Sequence, residues 1–183
     1  MAIDIMTDNC SNWFVIQTYA GKEGRITDVL LDLIKEPARL FFPRRKLYIR
    51  KKGEYLYNIK ALYPGYLFIK GEDDSLYNLD LCKTIYRKKS ILQGFIKILM
   101  KEDRPFFCER EEMKVVFDLV NREGIVEESR FYREGEIVKI IEGPLKGYEG
   151  IIRGINKRKN RVKVELKFLG VNRLVDLCIF EVR

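Results

Sequence analysis

Apolar and polar positions follow two different periods in the first two thirds of the chain. Residues 12–19 are rich in β-branched and aromatic side chains, which predicts a strand. Over 22–36 the apolar residues fall three and four positions apart, which indicates an amphipathic helix that ends before Pro37. A second helix of this kind is predicted over 109–120, and Ser75 is expected to be the N-cap of a short helix that runs to residue 85.

The segments between these helices favour strands. Strands are expected at 40–50, 55–60, 66–70 and 94–99, with a turn at Tyr63-Pro64-Gly65 before the third of them. Helices mixed with strands in this order indicate an α+β domain with a mainly antiparallel sheet.

The pattern changes after residue 121. A polar stretch at 122–131 is expected to be a linker, and short strands separated by turns follow it at 136–141, 150–155, 161–168, 173–175 and 178–182. Short strands with turns at intervals of about eight to twelve residues are typical of a small β-barrel. The predicted organisation is a leader at 1–11, a first domain at 12–121, the linker, and a barrel domain at 132–183.

Composition narrows the chemistry that this chain can perform. Its 183 residues contain no histidine, which excludes histidine-based acid–base or nucleophilic catalysis and removes the commonest metal ligand. The glycine patterns of dinucleotide and P-loop sites are missing as well. Four cysteines lie too far apart in sequence to form a zinc-binding pair: Cys10, Cys82, Cys108 and Cys178. We therefore expect no enzyme activity, no metal and no cofactor.

The lengths of the apolar runs and the character of the opening residues predict the cellular setting. No apolar run approaches the ~18 residues of a membrane span, and the opening residues lack the basic and apolar regions of a signal peptide. The cysteines are accordingly interpreted as reduced thiols. These features predict a monomeric cytoplasmic protein with no membrane partner.

The positive charge is concentrated in the barrel. The whole chain carries a net charge of +8, of which residues 1–130 contribute 23 basic and 20 acidic side chains and residues 131–183 contribute 12 and 7. The cations cluster in and around one predicted hairpin turn: Arg153, Lys157, Arg158, Lys159, Arg161 and Lys163. Such a cluster suits phosphate neutralisation, and arginine can also stack on unpaired bases. The alternative is a solvated basic turn, in which Asn156 and Asn160 are ordinary turn residues.

Several of these segments resemble the NusG family in the family's own order. The resemblance to the family's N-terminal (NGN) domain lies in the strand at 12–19, in Gly21–Arg25, in Tyr63-Pro64-Gly65-Tyr66 with the strand that follows, and in Gly94-Phe95-Ile96. Residues 135–152 resemble a KOW motif, which implies an SH3-like barrel. The resemblance implies a transcription elongation factor. Its first domain would dock on the clamp helices of RNA polymerase, and its KOW domain would tether Rho, a small-subunit ribosomal protein or RNA.

The resemblance also implies particular binding residues. The positions that match the polymerase-binding surface are Trp13, Val15, Tyr63, Pro64, Tyr66, Phe68 and Phe95. We expect these side chains to form an accessible apolar shelf for a polymerase helix, while the alternative is that they are ordinary core aromatics. The positions near the non-template DNA strand are Lys22, Arg25 and Arg87, for which a solvated basic face is the alternative.

Two departures from the family pattern point to a specialised member. The turn at 156–161 contains no acidic residue, although acidic residues are usual there. Phe168 is kept, but the Thr-Pro-Val-Glu pattern that usually follows it is lost, which makes Rho or ribosome binding doubtful. Together these departures are similar to LoaP-type antiterminators, which capture a hairpin in the nascent RNA. A general NusG that couples polymerase to Rho or the ribosome, and a KOW-type ribosome-associated RNA-binding protein, remain the alternatives.

Overall fold

A four-stranded antiparallel sheet forms the centre of the N-terminal half. In spatial order it contains β2 (Leu40–Phe41), β5 (Tyr66–Lys70), β1 (Trp13–Thr18) and β6 (Phe95–Ile98). The structure is a computed structural model that describes residues 10–34, 40–135 and 137–182.

Helices cover both faces of this sheet. The helices α1 (Glu23–Ile34) and α2 (Ser75–Arg87) pack on one face, and α3 (Arg110–Leu119) packs on the other. Because successive side chains of a strand point to opposite faces, Phe14 and Ile16 meet α1 and α2 while Trp13 and Val15 lie on the α3 side.

A long hairpin extends from the N-terminal half beside the sheet. It consists of β3 (Arg44–Lys51) and β4 (Glu54–Ala61), and the short strand β9 (Ile125–Val126) pairs in parallel with β3. Lys52 and Gly53 at its tip have φ of 51° and 89°, as a two-residue hairpin turn of the primed type requires. A minor hairpin, β7 (Met100–Lys101) with β8 (Arg104–Pro105), precedes α3.

Five strands form a small barrel at the C-terminal end. They are β10 (Ser129–Glu134), β11 (Ile137–Glu142), β12 (Ile152–Asn156), β13 (Arg161–Phe168) and β14 (Val171–Glu181). Its buried side chains include Phe131, Ile140, Leu145, Val162, Val164, Leu166, Leu177 and Ile179. Gly143 has φ of 95°, and a Cβ there would lie 2.5 Å from the Glu128 carbonyl oxygen, so the turn after β11 requires glycine.

The predicted fold class, an α+β domain followed by a KOW-type barrel, is confirmed, with local differences. The predicted strand at 40–50 is interrupted at Phe42 and Pro43, and its two parts join different sheets. The two strands expected at 173–175 and 178–182 are one continuous strand, β14. The N-cap of α2 is Asp74 rather than Ser75, because the Asp74 carboxylate accepts a hydrogen bond from the Leu76 N–H at 2.8 Å.

The remaining predicted boundaries meet the described residues only in part. The leader up to residue 9 and the predicted end of the first helix, at 35–36, lie outside the described residues. The stretch at 122–131, which we expect to be a linker, contains β9 and the first residues of β10. Among the helices of the described ranges, none has the length and apolar character that crossing a bilayer requires.

Candidate partner-binding surfaces

The sheet face opposite α1 and α2 carries most of the residues expected to bind polymerase. Val15 pairs with Phe68 and Gln17 pairs with Tyr66 across β1 and β5, so Tyr66 and Phe68 lie on the same face as Trp13 and Val15. We call Tyr63, Pro64, Tyr66 and Phe68, which lie along one end of this face, the aromatic edge.

The turn that begins the aromatic edge is held by a buried carboxylate. The Tyr66 N–H donates to the Tyr63 carbonyl at 3.2 Å, and Gly65 between them has φ of 86°, which is the geometry of a type II turn with Pro64 at its second position. Glu23 at the start of α1 is 3% exposed and accepts a hydrogen bond from the Gly65 N–H at 2.6 Å. These bonds fix the turn so that Pro64 stays exposed while Tyr63 is buried.

Trp13 and Val15 are core residues of the N-terminal half. Both have 0% exposure, and the Trp13 ring packs edge-on against Phe117 of α3 at 5.5 Å and against Phe41 at 5.9 Å. The expectation that Trp13 belongs to an accessible shelf is therefore wrong. The alternation along β1 predicted the correct face, but α3, an element of the same half, covers it.

Phe95 lies on the other side of the sheet. It pairs with Thr18 of β1, packs with the cluster under α1 and α2, and contacts the Tyr86 ring at 5.5 Å. The expectation that Phe95 extends the apolar shelf is wrong, because a register shift between Gln17 and Thr18 places it opposite a residue of the helix-covered face.

The aromatic edge itself is covered by the barrel. Phe168, the last residue of β13, stacks on Tyr63 with ring centroids 4.3 Å apart and planes at 12°. The same ring meets Tyr66 edge-on at 5.0 Å and Phe68 at 5.8 Å. Phe68 is fully buried and Tyr66 is half-buried, so the expected shelf is not accessible in this arrangement.

A cleft remains open beside the Phe168 contact. It has a volume of about 420 Å³ and lies between the two halves of the chain. Its walls include Pro64 and Tyr66 from the N-terminal half and Arg173 and Leu174 from the barrel. The cleft keeps part of the aromatic edge in contact with solvent.

A second contact between the halves joins α3 to the turn that connects β13 and β14. The Glu112 carboxylate, 5% exposed, accepts hydrogen bonds from the backbone N–H of Gly170 at 2.8 Å and of Leu169 at 3.2 Å. Beside it, the Lys167 ammonium lies 2.5 Å from the Glu109 carboxylate. The acidic start of α3 therefore binds both the backbone and a side chain of the barrel.

A third contact joins the long hairpin to the outer face of the barrel. Arg161 donates to the Tyr48 carbonyl at 2.6 Å, and Arg45 donates to the Asp176 carbonyl at 2.7 Å. The Tyr48 ring meets Phe180 edge-on at 5.1 Å. Burial lowers the pKa of Arg45, and the neighbouring Asp176 carboxylate opposes that change.

The junction between the halves contains a charged triad. The Lys46 ammonium lies 2.9 Å from the Glu127 carboxylate and 3.2 Å from that of Glu128. The hydrogen bond that the Lys46 ammonium donates to Glu127 raises the pKa of Lys46 above its ordinary value. Burial alone would raise the pKa of Glu128, but its backbone N–H and the Lys46 ammonium outweigh burial and lower it.

The basic turn of the barrel is a short 3-10 turn at Lys157–Lys159. The Asn156 side chain accepts a hydrogen bond from the Lys159 N–H at 3.1 Å, and Asn160 adopts the left-handed conformation with φ of 50°. Both asparagines therefore have structural roles in the turn.

The cations expected to bind RNA divide into two groups. Four have partners within the protein: Lys157 with Glu181 at 2.5 Å, Arg153 with Glu165 at 2.9 Å, Lys163 with Asp176 at 3.0 Å, and Arg161 with the long hairpin. The other two, Arg158 and Lys159, are exposed at the tip of the turn. Only Arg158 and Lys159 thus stand at the tip of the turn without a described partner, while the other four are held by contacts along the strands or to the long hairpin.

The residues expected near DNA lie on the surface of the N-terminal half. Lys22 and Arg25 are exposed at the start of α1, and Arg87 is exposed at the last residue of α2. Gly94, in the connection after α2, approaches Lys22 so closely that an added Cβ would lie 2.8 Å from its side chain. The start of α1 and the segment after α2 therefore adjoin each other.

The contacts made by Phe168, Glu112 and Arg45 were not predicted. Phe168 continues the alternation of the inward-facing Val164 and Leu166. The sequence pattern therefore predicts that Phe168 packs inside the barrel and does not predict its contact with the N-terminal half. Glu112 lies in the acidic first turn of α3, where a carboxylate ordinarily does no more than complement the helix dipole. The one signal in the sequence was Gly170, a turn residue between the strands expected at 161–168 and 173–175, which marks the turn but not what binds it.

Two of the cysteine thiols are buried and have raised pKa values. Burial raises the pKa of Cys82 to about 11 and that of Cys108 to about 12. Over the described ranges, no group of three or more cysteine, aspartate or glutamate side chains is arranged to hold a metal ion.

An α+β domain with an aromatic edge, joined to a small barrel with a cationic turn, defines a two-part class of protein with N-terminal sheets packed on helices and a C-terminal KOW-type barrel. A family model described as "Transcription termination factor nusG" matches residues 11–117, and one described as "KOW motif" matches residues 134–165. The first match covers more than half of the chain, so the chain belongs to the NusG family. Members of this family are transcription factors rather than enzymes, which confirms the expectation drawn from composition.

Curated relatives align with almost the whole length of the chain. The "Transcription termination/antitermination protein NusG" of Rickettsia prowazekii is 25% identical over 183 residues, which is 96% of this chain and 91% of the relative. The proteins of that name from Deinococcus radiodurans and Helicobacter pylori are 25% and 20% identical, over 93% and 91% of this chain and 97% and 94% of theirs. A solved structure, "Domain interaction in Thermotoga maritima NusG", covers 95% of both chains with 18% identity and a TM-score of 0.49.

Proposed function

We propose that this protein is a processive antitermination factor that binds RNA polymerase through the aromatic edge and a nascent RNA hairpin through the basic turn. The single observation that carries this proposal is the contact of Phe168 with Tyr63, Tyr66 and Phe68. It supports the proposal because it demonstrates that the edge accepts an aromatic side chain from outside the N-terminal half. A polymerase helix would present the same kind of side chain to it.

The polymerase contact would rest on the outer members of the aromatic edge. Burial of one aromatic side chain contributes ~2–3 kcal/mol, so a few such rings suffice for micromolar docking after the cost of association. Tyr66 and Pro64 are suited to this role because they are already partly accessible, whereas Trp13 and Val15 would support the edge from the core. Lys22, Arg25 and Arg87 would lie toward the non-template DNA.

The RNA contact would begin at Arg158 and Lys159. Their exposure at the tip of the turn lets them reach phosphates without breaking an internal ion pair. Lys157, Lys163 and Arg153 would exchange their carboxylate partners for phosphates at a closer approach. This arrangement favours the specialised, LoaP-like function over Rho or ribosome coupling, because Phe168 is turned toward the N-terminal half rather than toward solvent.

The test is a gel-shift titration of leader RNA hairpins at several salt concentrations, paired with a terminator readthrough assay. The double variant Arg158→Ala, Lys159→Ala should weaken hairpin binding at least ~10-fold, reduce the salt slope by about 2 and abolish readthrough. The matched control Arg133→Ala, Lys146→Ala also removes two exposed cations of the barrel, away from the turn, and should retain most of the binding.

Two results would contradict the proposal. If the wild-type protein bound the hairpin no more tightly than bulk RNA while recovering Rho or ribosomal subunits, the general coupling function would be favoured. If it recovered ribosomal subunits but no polymerase, the protein would be a ribosome-associated RNA-binding protein.

A further inference from the structure

We propose that the cleft between the two halves of the chain is a binding site for a nucleoside monophosphate. The proposed function gives the aromatic edge to polymerase and the basic turn to RNA, and it assigns no ligand to this cleft. Three observations support the new site. They are the charge of its walls, two buried donors without acceptors, and the size of the space together with the apolar groups around it.

The walls of the cleft carry positive charge. Arg45 and Arg173 line it, and none of its described lining residues is an aspartate or a glutamate. The Arg173 guanidinium lies 5.5 Å from the centre of the Phe168 ring and forms no ion pair among the described residues. Asp176, whose charge acts on Arg45, is already bound to Lys163 at 3.0 Å. Two guanidinium groups at a site without carboxylates favour an anion with several oxygens.

Two hydrogen-bond donors at the cleft have no acceptor. The Tyr63 hydroxyl and Arg45 Nε belong to residues that line the cleft, and both atoms are buried without a hydrogen-bond partner among the described residues. Tyr63 is only 3% exposed, so bulk water does not compensate its hydroxyl. A buried donor without an acceptor costs free energy, and such groups are rare in folded proteins. The oxygens of a bound phosphate would supply the missing acceptors.

The Tyr63 hydroxyl is suited to donate to an anion. Burial raises the pKa of Tyr63 above its ordinary value, and the Glu112 carboxylate adds to this effect, while the Arg173 guanidinium opposes it. The hydroxyl therefore keeps its proton at neutral pH. It adds a donor to the two guanidinium groups and no negative charge.

The other walls of the cleft suit a planar apolar group. Pro64 and Leu174 are exposed there, and Tyr66 is half-buried beside them. The volume of about 420 Å³ falls within the range of ~300–1,000 Å³ that small-molecule sites occupy, and a bare phosphate ion would leave most of it empty. The ligand therefore joins an anionic group to an organic body, and a nucleobase could stack on an aromatic ring such as Tyr66.

The balance of charge favours a phosphate monoester over other organic anions. A carboxylate brings one negative charge to two guanidinium groups, and so does a phosphodiester within RNA, whereas a phosphate monoester carries about −1.5 to −2 at pH 7. A nucleoside monophosphate has both this group and a planar ring. The same unit occurs free in solution and at the phosphorylated end of an RNA, and the experiment separates these sources.

Isothermal titration calorimetry of the full-length protein tests the site. The probes are the four ribonucleoside 5′-monophosphates, titrated separately. Three control ligands each lack one feature: adenosine lacks the charge, inorganic phosphate lacks the ring, and benzoate lacks the second negative charge. At least one nucleotide should bind at least ~10-fold more tightly than every control ligand, because it alone satisfies the donors and fills the cleft.

Two variants locate the bound nucleotide. Arg173→Gln removes an exposed charge of the cleft and should weaken binding at least ~10-fold, while Arg133→Gln, at an exposed arginine that does not line the cleft, should leave binding unchanged. Tyr63→Phe removes only the unpartnered hydroxyl and should weaken binding ~3- to 10-fold. It should not lower the midpoint of chemical denaturation, as loss of a hydrogen bond within the protein would.

The source of the nucleotide is tested in the Arg158→Ala, Lys159→Ala variant, in which the basic turn no longer attracts RNA. This variant should bind the nucleotide as the wild type does. A short single-stranded RNA with a 5′-phosphate is then compared with the same RNA with a 5′-hydroxyl. Displacement by the phosphorylated RNA alone identifies an RNA end as a source, and displacement by neither RNA identifies the free nucleotide. Equal displacement by both would overturn the requirement for a monoester.

Three further results would overturn the site itself. If no nucleotide bound, the cleft would hold only water. If inorganic phosphate bound as tightly as the nucleotides, it would hold a simple ion. If Arg173→Gln and Tyr63→Phe both bound the nucleotide as the wild type does, the nucleotide would lie elsewhere on the protein.

Discussion

The two faces of the central sheet differ in what covers them. Phe14, Ile16, Leu67 and Ile69 pack in a cluster that α1, α2 and other residues of their own half complete, whereas the opposite face contacts both α3 and the barrel. The first face is a permanent core. The second face is covered by α3 around Trp13 and by Phe168 of the barrel at the aromatic edge, where the proposed polymerase contact would lie.

Two side chains that were expected to belong to one apolar shelf have different surroundings. Trp13 and Tyr66 lie on the same face of neighbouring strands, but Trp13 is under α3 and Tyr66 is beside the interdomain cleft. The first should therefore matter for folding and the second for binding. The expected effects below run from the largest to the smallest.

Replacement of Trp13 by Ala should give the largest loss of stability. The ring is fully buried between Phe41 and Phe117, so its removal leaves a cavity that costs about 3–5 kcal/mol in the free energy of unfolding. Chemical denaturation followed by far-ultraviolet circular dichroism measures this loss, because that signal comes from the backbone and not from the tryptophan that is removed. A cost below ~1 kcal/mol would indicate that α3 does not pack on the sheet as described.

Replacement of Tyr66 by Ser should weaken polymerase binding with a much smaller effect on stability. The measurement is made in the Phe168→Ser background, so that the loss of a docking ring is not mixed with the loss of a contact to the barrel. We expect at least ~10-fold weaker binding, since removal of one buried aromatic ring from an interface costs ~2 kcal/mol. Unchanged RNA affinity in the same variant is the control, and an equal loss of both affinities would contradict separate binding surfaces.

Cys178 should report separation of the barrel from the long hairpin without any engineered label. Its thiol faces outward from β14, yet it is 1% exposed because the long hairpin lies over it. Burial raises its pKa, which lowers its reactivity further in the closed form. Glu112→Gln weakens the hydrogen bonds that Leu169 and Gly170 donate across the contact between the halves, so it should speed alkylation of Cys178 by about 10-fold, corresponding to ~1.4 kcal/mol.

Cys82 is the matched control for that experiment. It lies on the buried face of α2, away from the barrel, and its rate of alkylation should not change in the Glu112→Gln variant. Equal acceleration at Cys82 and Cys178 would indicate general unfolding instead of domain opening.

The contribution of the Lys46 triad to the pH dependence of stability should be the smallest of these effects. The pKa of Glu128 is lowered in the folded protein, so the stability that it contributes is present above its unfolded pKa of about 4 and is lost as pH falls through the folded value. The pKa of Lys46 is raised, so its contribution is lost only as pH rises beyond the usual lysine range. Denaturation midpoints at pH 3 and pH 7 should therefore differ more in the wild type than in Lys46→Ala. An identical difference in both proteins would rule out a role for the triad.

The sequence by itself determined the elements and the family. Periodicity located α1, α3 and most strands, because the spacing of apolar residues reflects which face of each element is buried. The segments around Tyr63-Pro64-Gly65-Tyr66 and the KOW motif identified the family, because their turns depend on short-range backbone geometry that particular residues satisfy. The cationic turn was likewise visible, since charge density along the chain is a local property.

Only the tertiary structure decided what lies over each face. The alternation of side chains along the strands predicts that Trp13, Tyr66 and Phe68 share a side of the sheet. It does not predict whether a helix of the same half, the barrel or solvent covers them. The contact of Phe168 with Tyr63 joins residues more than a hundred positions apart, and the contact at Glu112 depends on backbone N–H groups that exist in every residue. Such long-range contacts arise from the packing of completed domains, and no pattern within a segment encodes them.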